Sequence, residues 1–382
     1  MMNTAVCLRR SVGIVIGTAL GLVLGFSAPL DIGPKLADPD ATPETRALYA
    51  SLHQIAPEGI MFGHQDDLAY GVEWTRQRGR SDVRDVCGSY PAVYGWDLGH
   101  IGDSHNIDSV EFKDMQRWAR QVFRRGGVNT YSWHIRNLAT GGGSWDTTKV
   151  VGRILPGGDL HADYLAKLDA VADFFLGLKT RWGRPIPVLF RPFHEHTGSW
   201  FWWGKGNCSP AQYRQLWHFT LMYLRDVRGV HNLLYVYSPD VFSDESEYLR
   251  CYPGDEFVDI LGLDDYHDMK SPERLQDLTH RLGMVVKLAE EKGKVAALTE
   301  TGLEKVPHAS WWTDMLLEGI AQDSLARKIV YVLVWRNDRE DHHYAPFPGH
   351  PSSEDFVKFR QSPMTLFEDD LPKLYKRKRQ RG

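Results

Sequence analysis

Cysteine is scarce in this sequence: 382 residues contain only four. One of them, Cys7, lies in an apolar N-terminal segment, so three remain for the body of the chain: Cys87, Cys208 and Cys251. Three thiols cannot all pair, and their spacing matches no zinc-binding pattern. The chain is therefore neither a disulfide-stapled scaffold nor a zinc module. One disulfide is possible, and the sequence does not choose the pair.

An excess of positive charge is also missing. The chain has 45 Lys and Arg against 49 Asp and Glu, which gives a formal net charge of -4. Nucleic-acid-binding domains are usually strongly basic, so no nucleic-acid partner is expected, and nothing in the sequence implies a stable protein partner. Hydrophobic residues make up 42% of the chain and charged residues 25%, as in ordinary globular proteins, so a core of full size is available.

Long apolar runs are absent except at the N-terminus. There, Arg9 and Arg10 precede the run from Val12 to Phe26, and the small residues Ser27 and Ala28 follow it. This order is typical of a secretory signal peptide, and the run is short for a membrane span, which needs about 20 residues. We predict that residues 1–28 direct export, to the periplasm or out of the cell. An uncleaved membrane anchor remains the alternative.

No glycine-rich dinucleotide fingerprint follows any predicted strand, which argues against a doubly wound open sheet. Instead, short apolar runs alternate with amphipathic helical patterns, as expected for a parallel sheet covered by helices. Eight such units favour an α/β fold of the (β/α)8 TIM-barrel type. The predicted strands cover residues 59–64, 91–97, 128–134, 186–190, 232–238, 258–264, 295–299 and 329–335.

The barrel is predicted to form one catalytic domain over residues 42–372. Thr42 is a candidate N-cap for the first helix, with Pro43 at its first position. A linker rich in Pro, Asp and Gly, residues 29–41, precedes the domain, and a basic, solvated tail, residues 373–382, follows it. Further helices are predicted over residues 109–125, 164–181, 210–228, 272–292 and 310–326.

Two glutamates stand where predicted strands end. Glu195 follows the fourth strand, between His194 and His196, and Glu300 ends the seventh. In a barrel, catalytic groups collect at the C-terminal ends of the strands. A pair of carboxyl groups is what a retaining glycosidase requires. We therefore predict that Glu195 is the general acid/base and Glu300 the nucleophile.

Tryptophan is abundant near the same strand ends, and indole faces stack well on sugar rings. Trp200 and Trp335 are the better candidates for sugar platforms because both lie at or near a strand end. Trp145, Trp202 and Trp203 are further candidates, although an aromatic residue is as often part of a core.

Histidines at strand ends raise the alternative of a metal site. The candidates are His64, His134, His194 and His267. Metal-dependent barrel amidohydrolases usually place two histidines one residue apart on the first strand, whereas this chain has His64-Gln65-Asp66. We expect no metal and no cofactor, because two carboxylates suffice for glycoside hydrolysis. The histidines are instead expected to bind sugar hydroxyls or to orient the glutamates.

Taken together, these motifs resemble glycoside hydrolase family 26, the β-mannanase family. The resemblance extends from about Thr42 to Asn337, in the right order. It rests on Phe62-Gly63-His64-Gln65, Arg191-Pro192-Phe193-His194-Glu195, Trp200-Phe201-Trp202-Trp203-Gly204, Gly262-Leu263-Asp264-Asp265-Tyr266, Thr299-Glu300 and Val334-Trp335-Arg336-Asn337. After the acid/base position this chain has His196-Thr197, where many relatives carry Met-Asn or a similar pair.

The resemblance implies a (β/α)8 barrel and a retaining double displacement, with Glu195 as acid/base and Glu300 as nucleophile. It also implies that His194 contacts the nucleophile or the substrate, that Tyr266 lies near the nucleophile, and that Trp335 stacks on a sugar beside Arg336. The full set of predicted substrate-binding residues is His134, Trp145, His194, Trp200, Asp264, Tyr266, Trp335 and Arg336.

The expected activity is that of an endo-β-1,4-mannanase acting on mannan, glucomannan or galactomannan. Because the family also contains enzymes for β-1,3-xylan and mixed-linkage β-glucan, these substrates remain alternatives. A noncatalytic carbohydrate-binding barrel is a further alternative, which loss of either glutamate would indicate; both are present in this chain.

Overall fold

The fold was analysed in a computed structural model, which describes residues 35–376. Eight strands form its centre, and their lengths are five to seven residues. They are β1 (Ile60–Gln65), β2 (Val93–Asp97), β3 (Val128–Trp133), β4 (Val188–Pro192), β5 (Leu233–Tyr237), β6 (Ile260–Asp265), β7 (Val295–Thr301) and β8 (Ile329–Val334).

The sheet closes on itself. Each strand pairs in parallel with the next in sequence, and β1 also pairs with β8, with Met61 opposite Tyr331. Every residue of these eight strands is buried, as expected for runs covered on both faces. The predicted (β/α)8 barrel is therefore confirmed, with all eight strands where the sequence places them.

Helices surround the barrel. They are α1 (Pro43–Ile55), α2 (Asp82–Cys87), α3 (Phe112–Arg125), α4 (Val151–Ile154), α5 (His161–Gly177), α6 (Pro210–Met222), α7 (Glu245–Leu249), α8 (Leu275–Glu291), α9 (Glu318–Ala321) and α10 (Ser353–Gln361). The predicted start of α1 is confirmed: the Thr42 hydroxyl accepts the Thr45 N–H, and Pro43 opens the helix. A short hairpin, Tyr70–Gly71 with Trp74–Thr75, follows β1, and Thr365–Leu366 pairs with the start of β1.

Two helices differ from the prediction. In the helix predicted over residues 210–228, regular α-helix ends at Met222 and wide π turns follow over Tyr223–Val227. Residues 310–326 were expected to form one regular helix, but the chain makes wide π turns over Trp312–Leu317 before α9. Trp311 and Trp312 are both completely buried there, with their rings edge to face at 4.8 Å. Both indoles are therefore packed into the core where the wide turns begin.

The hydrophobic core has two parts. An inner cluster fills the barrel and includes Met61, Leu189 and Leu333, together with Leu48 and Leu52 of α1. Helix α1 therefore closes the N-terminal end of the barrel, leaving the C-terminal end for ligands. A larger outer cluster packs the helices against the strands.

The N-terminal boundary of the barrel lies earlier than predicted. Ala37, within the predicted linker, is buried, and its N–H donates to the carboxylate of Asp259 at 2.8 Å. The later residues of that linker therefore belong to the barrel. The predicted signal peptide, residues 1–28, lies outside the described residues.

The C-terminal boundary lies later than predicted. Leu374 is buried, and the Tyr375 hydroxyl donates to the Gly127 carbonyl at 2.6 Å, although both were assigned to the solvated tail. Residues 377–382 of that tail lie outside the described residues. Within the described part, no helix has the length and apolar character needed to cross a bilayer.

Candidate active site

A cavity of about 580 Å³ opens at the C-terminal end of the barrel. Eight of the ten residues predicted for the site line it: His134, Trp145, His194, Glu195, Trp200, Tyr266, Glu300 and Trp335. These residues come from five strand ends and two loops, which only a closed barrel brings together. The predicted residues Asp264 and Arg336 do not line it.

Glu195 is aimed into the cleft by an unusual turn. After β4, both Phe193 and Glu195 adopt left-handed backbone conformations, with φ of 52° and 53°. Such values are uncommon for residues other than glycine and mark a constrained turn. The turn is tied down because the Glu195 N–H donates to the Ser238 carbonyl at 2.8 Å.

The surroundings of Glu195 favour its protonated form. Burial raises the pKa of its carboxyl group well above the ordinary value, and the nearby charge of Glu300 raises it further. The indole N–H of Trp200, which donates to the carboxyl group at 2.6 Å, opposes this shift only partly. The raised pKa favours a protonated carboxyl group, which is the form that can donate a proton.

Glu300 lies in a different environment. Its carboxylate accepts hydrogen bonds from the Arg191 guanidinium and from the Tyr266 hydroxyl, the latter at 2.8 Å. Its side chain is almost entirely buried, and the β6–β7 register shifts where Glu300 pairs with Asp264. A shift of this kind re-aims side chains at a strand end. An ion pair and a phenol donor stabilise the negative charge that a nucleophile needs.

Asp264 does not reach the cleft. It is completely buried, forms an ion pair with Arg191, and accepts the Thr299 hydroxyl at 2.6 Å. Asp264 lies behind Arg191 and so does not make the predicted contact with sugar. Instead, it positions the guanidinium that pairs with Glu300. Arg191 is thus shared between two carboxylates. The sequence offered Arg191 or Arg336 as a source of positive charge for Glu300, and the structure places Arg191 there.

The carboxylate of Asp97 influences the charge of His134. Its Nδ1 lies 2.7 Å from the carboxylate of Asp97, which also accepts the Ser132 hydroxyl. Burial alone would lower the pKa of His134, but the Asp97 charge and hydrogen bond outweigh it and raise the pKa. The raised pKa favours the cationic form of His134, whose ring stacks under Trp145 at 5.2 Å.

His194 has the opposite character. Burial, the Arg191 charge and the neighbouring His134 hold the pKa of His194 well below the ordinary range, so this imidazole is neutral. It meets the His134 ring edge to face at 4.6 Å and lines the cleft beside Glu195. Among residues 35–376, no group of three or more His, Cys, Asp or Glu side chains is arranged to hold a metal ion.

The tryptophans divide into two groups. Trp145 and Trp200 are 54% and 38% exposed, and with Trp335 they form open aromatic walls of the cleft. Trp202 and Trp203 are completely buried; their indole N–H groups donate to backbone carbonyls. Those two candidates for sugar platforms are core residues that support the loop carrying Trp200.

Arg336 turns away from the main cleft. Its guanidinium pairs with Asp108 at 3.2 Å and lies 3.4 Å from the Tyr70 hydroxyl. Trp335 and Arg336 are neighbours in sequence, yet only Trp335 lines the cavity.

Other cleft residues were not predicted. Phe201, Lys270, Glu304 and Tyr344 line the cavity from loops rather than from strand ends. Tyr344 lies ten residues beyond the end of β8, where its N–H donates to the Asn337 side chain at 3.0 Å. Nothing in its sequence position points to the cleft; only the preceding Asn337, a loop-fixing residue, is a signal.

Comparison with known proteins gives a consistent result. Residues 37–332 match the family described as glycosyl hydrolase family 26. A mannan endo-1,4-β-mannosidase from Bifidobacterium adolescentis is 37% identical over 290 residues, and one from Bacillus subtilis is 31% identical over 273. These matches cover 73% and 67% of this chain, but 29% and 69% of the two relatives. The chain thus spans less than a third of the bifidobacterial protein.

Solved structures agree. A β-mannanase of family 26 from Bacteroides ovatus is 47% identical, with a TM-score of 0.85, over 89% of this chain and 99% of that one. An endo-β-1,4-mannanase from Cellulomonas fimi is 38% identical, with a TM-score of 0.84, over 90% of this chain and 79% of that one. The family match alone covers well over half of the chain. The protein belongs to glycosyl hydrolase family 26.

Proposed function

We propose that this protein is a retaining endo-β-1,4-mannanase that cuts within chains of mannan, glucomannan or galactomannan. The observation that carries the proposal is the pair of glutamates in one cleft with different surroundings: burial and the Glu300 charge raise the pKa of Glu195, whereas Glu300 accepts hydrogen bonds from Arg191 and Tyr266. The choice of mannan is supported by relatives named as mannanases that are 31% to 47% identical to this chain.

The reaction takes two displacements. Glu300 attacks the anomeric carbon, the glycosidic C–O bond breaks, and Glu195 gives its proton to the leaving oxygen. The sugar is then bound to Glu300 as an ester. In the second step the Glu195 carboxylate takes a proton from water, the water oxygen attacks the anomeric carbon, and the bond to Glu300 breaks. The anomeric configuration is inverted twice and therefore retained.

Product analysis tests the proposal. The purified protein is incubated with unbranched mannan, glucomannan, β-1,3-xylan and mixed-linkage β-glucan. Manno-oligosaccharides of several lengths are expected from mannan, whereas mannobiose alone would indicate an enzyme that acts from a chain end. Hydrolysis of xylan or β-glucan only would overturn the substrate but keep the two glutamates. No hydrolysis of any substrate would indicate a binding protein.

The pH dependence of kcat/KM is the next prediction. Because the acid must be protonated in the free enzyme, kcat/KM is expected to fall as pH rises through the elevated pKa of Glu195. The Trp200 N–H stabilises the charged form, so Trp200→Phe is expected to move this limb to higher pH, besides any loss of sugar stacking. If the pH at which kcat/KM falls is unchanged or lower in Trp200→Phe, Glu195 is not the group whose pKa sets that fall.

Asp97→Asn tests the charge on His134. Without the carboxylate, the pKa of His134 is expected to fall, because burial then acts unopposed. Loss of a charged hydrogen bond to a substrate-facing group is expected to lower kcat/KM about 10- to 100-fold. NMR titration of the His134 ring measures the pKa, and Asp146→Asn, in an exposed cleft-side loop, is the control. An unchanged His134 titration would refute the pairing.

A further inference from the structure

A second cavity lies on the outside of the barrel, away from the catalytic cleft. It has a volume of about 480 Å³ and is formed by α3 and the loop between α5 and β4. We call its charged and aromatic lining the arginine face. The arginine face consists of Arg117, Arg120, Arg124, Arg181 and Trp182.

The arginine face lies toward the N-terminal end of the barrel. Helix α3 runs down to Gly126 and Gly127, directly before β3 begins, and the loop carrying Arg181 leads directly into β4. Glu195 and Glu300 lie at the opposite, C-terminal ends of their strands. The glycosidase chemistry therefore uses none of these residues.

Trp182 is the most exposed large apolar side chain of the described residues, at 75%. The guanidinium of Arg181 lies 4.2 Å over its ring, so a cation and an indole are presented together. Arg120 donates to the carbonyls of Gly177 and Lys179, which fixes its direction without cancelling its charge. Arg117 pairs with Asp114 at 3.1 Å, so among the described residues of this face Arg120, Arg124 and Arg181 supply the unpaired charge beside the exposed indole. Such a combination is unexpected on a chain of net charge -4.

Both ends of the described chain reach this end of the barrel. Tyr375 packs on Phe123 of α3, with ring centroids 4.4 Å apart, one residue before Arg124. The sequence that follows is Lys376-Arg377-Lys378-Arg379-Gln380-Arg381. At the other terminus, the Thr42 N–H donates to the His231 carbonyl before β5, and Glu44 pairs with Arg184 of the loop that carries Trp182.

We propose that the arginine face docks on the surface of a lipid bilayer that contains anionic phospholipids. Indole side chains prefer the interface between headgroups and acyl chains. Basic side chains near an anionic leaflet strengthen binding to it. The described chain ends next to α3, where Tyr375 packs on Phe123 beside Arg124, and the sequence that follows is basic. In this orientation the catalytic cleft faces away from the membrane, toward a polysaccharide.

Vesicle sedimentation tests this proposal. The full chain is mixed with vesicles of phosphatidylcholine, with or without about 30 mol % phosphatidylglycerol, at low and at high salt. Four proteins are compared: wild type, Arg124→Glu/Arg181→Glu, Trp182→Ala, and the control Arg78→Glu/Lys149→Glu, which is matched to the double arginine variant. The control makes the same change in net charge at exposed positions outside the arginine face. All share one N-terminal segment, so differences between them come from the substituted side chains.

The arginine-face variant is expected to bind anionic vesicles at least about tenfold more weakly than wild type and the control, with a smaller salt dependence. Its hydrolysis of soluble manno-oligosaccharides is expected to match wild type, which shows that it is folded. Trp182→Ala is expected to weaken vesicle binding without changing its salt dependence.

Three results would overturn the proposal. The first is equal vesicle binding by the arginine-face variant and wild type, and the second is an equal loss in the control. The third is binding to polygalacturonate, in affinity electrophoresis, that depends on Arg124 and Arg181 while anionic vesicles are not bound. That result would identify the arginine face as a site for acidic polysaccharide instead.

Discussion

Replacing Glu300 with alanine is expected to lower kcat on mannan by at least about 10⁴-fold. The carboxylate supplies the nucleophile, and no other group is held at this position by both Arg191 and Tyr266. Added azide is expected to restore turnover on a substrate with a good leaving group by occupying the space left by the carboxylate. The product is then an α-glycosyl azide, because a single displacement inverts the anomeric carbon.

Folding must be separated from chemistry in this experiment. Removing the carboxylate leaves the buried Arg191 with Asp264 as its remaining ion-pair partner, which costs stability. Glu300→Gln keeps the shape of the side chain and is expected to be equally inactive while unfolding closer to the wild-type temperature. Activity within about tenfold of wild type in either variant would show that Glu300 is not the nucleophile.

Replacing Glu195 with alanine is expected to lower kcat on mannan by about 10²- to 10⁴-fold. The loss depends on the leaving group, because only a poor leaving group needs a proton. With an aryl mannobioside whose phenol leaves readily, the first step is expected to remain fast and the glycosyl ester to accumulate. A burst of phenol followed by slow turnover is the signature to measure, and azide is expected to give a β-glycosyl azide.

Glu304 provides a matched control for both experiments. It lines the same cleft but pairs with His342 instead of sharing the charges around Arg191. Glu304→Ala is expected to keep kcat within about tenfold of wild type. If Glu304→Ala loses as much activity as Glu195→Ala, with no difference between leaving groups, the acid/base assignment to Glu195 fails.

The charges around Arg191 explain why the two glutamates differ. Asp264 and Glu300 both pair with this one buried guanidinium, whereas the donor to Glu195 is the neutral indole of Trp200. In a buried site, like charges repel and loss of hydration disfavours ionised groups, so three carboxylates beside one guanidinium are unfavourable. Within the described part of the chain, Glu195 has no cationic partner to oppose the effects of burial and of the nearby Glu300 charge, which raise its pKa well above the ordinary value.

The strands and the two glutamates could be predicted because the alternation of apolar runs and amphipathic helical patterns shows where each strand ends. Buried parallel strands are continuous apolar runs, and a carboxylate at the end of such a run must lie at the mouth of a closed barrel. Glu195 and Glu300 meet this condition, and the structure places both in one cleft. Their positions follow from chain alternation, without knowledge of any loop.

The rest of the site depends on how loops fold and on which way strand-end side chains turn. Asp264 ends a strand as Glu300 does, but the register shift between β6 and β7 turns it behind Arg191. Trp202 and Trp200 are two residues apart, yet one is buried and the other open. Tyr344 enters from a long loop. No local pattern distinguishes these outcomes, because each is set by contacts between distant segments.

Covalent trapping tests the central claim most directly. A 2-deoxy-2-fluoro β-mannosyl fluoride, extended by one mannose, combines a fast first step with a slow second, since fluorine at C2 destabilises the oxocarbenium-like transition states. Mass spectrometry is expected to find one added glycosyl group, mapped to the peptide that contains Glu300 and absent in Glu300→Gln. A label on another carboxylate, or turnover that yields only the α-anomer with no labelled protein, would contradict the account.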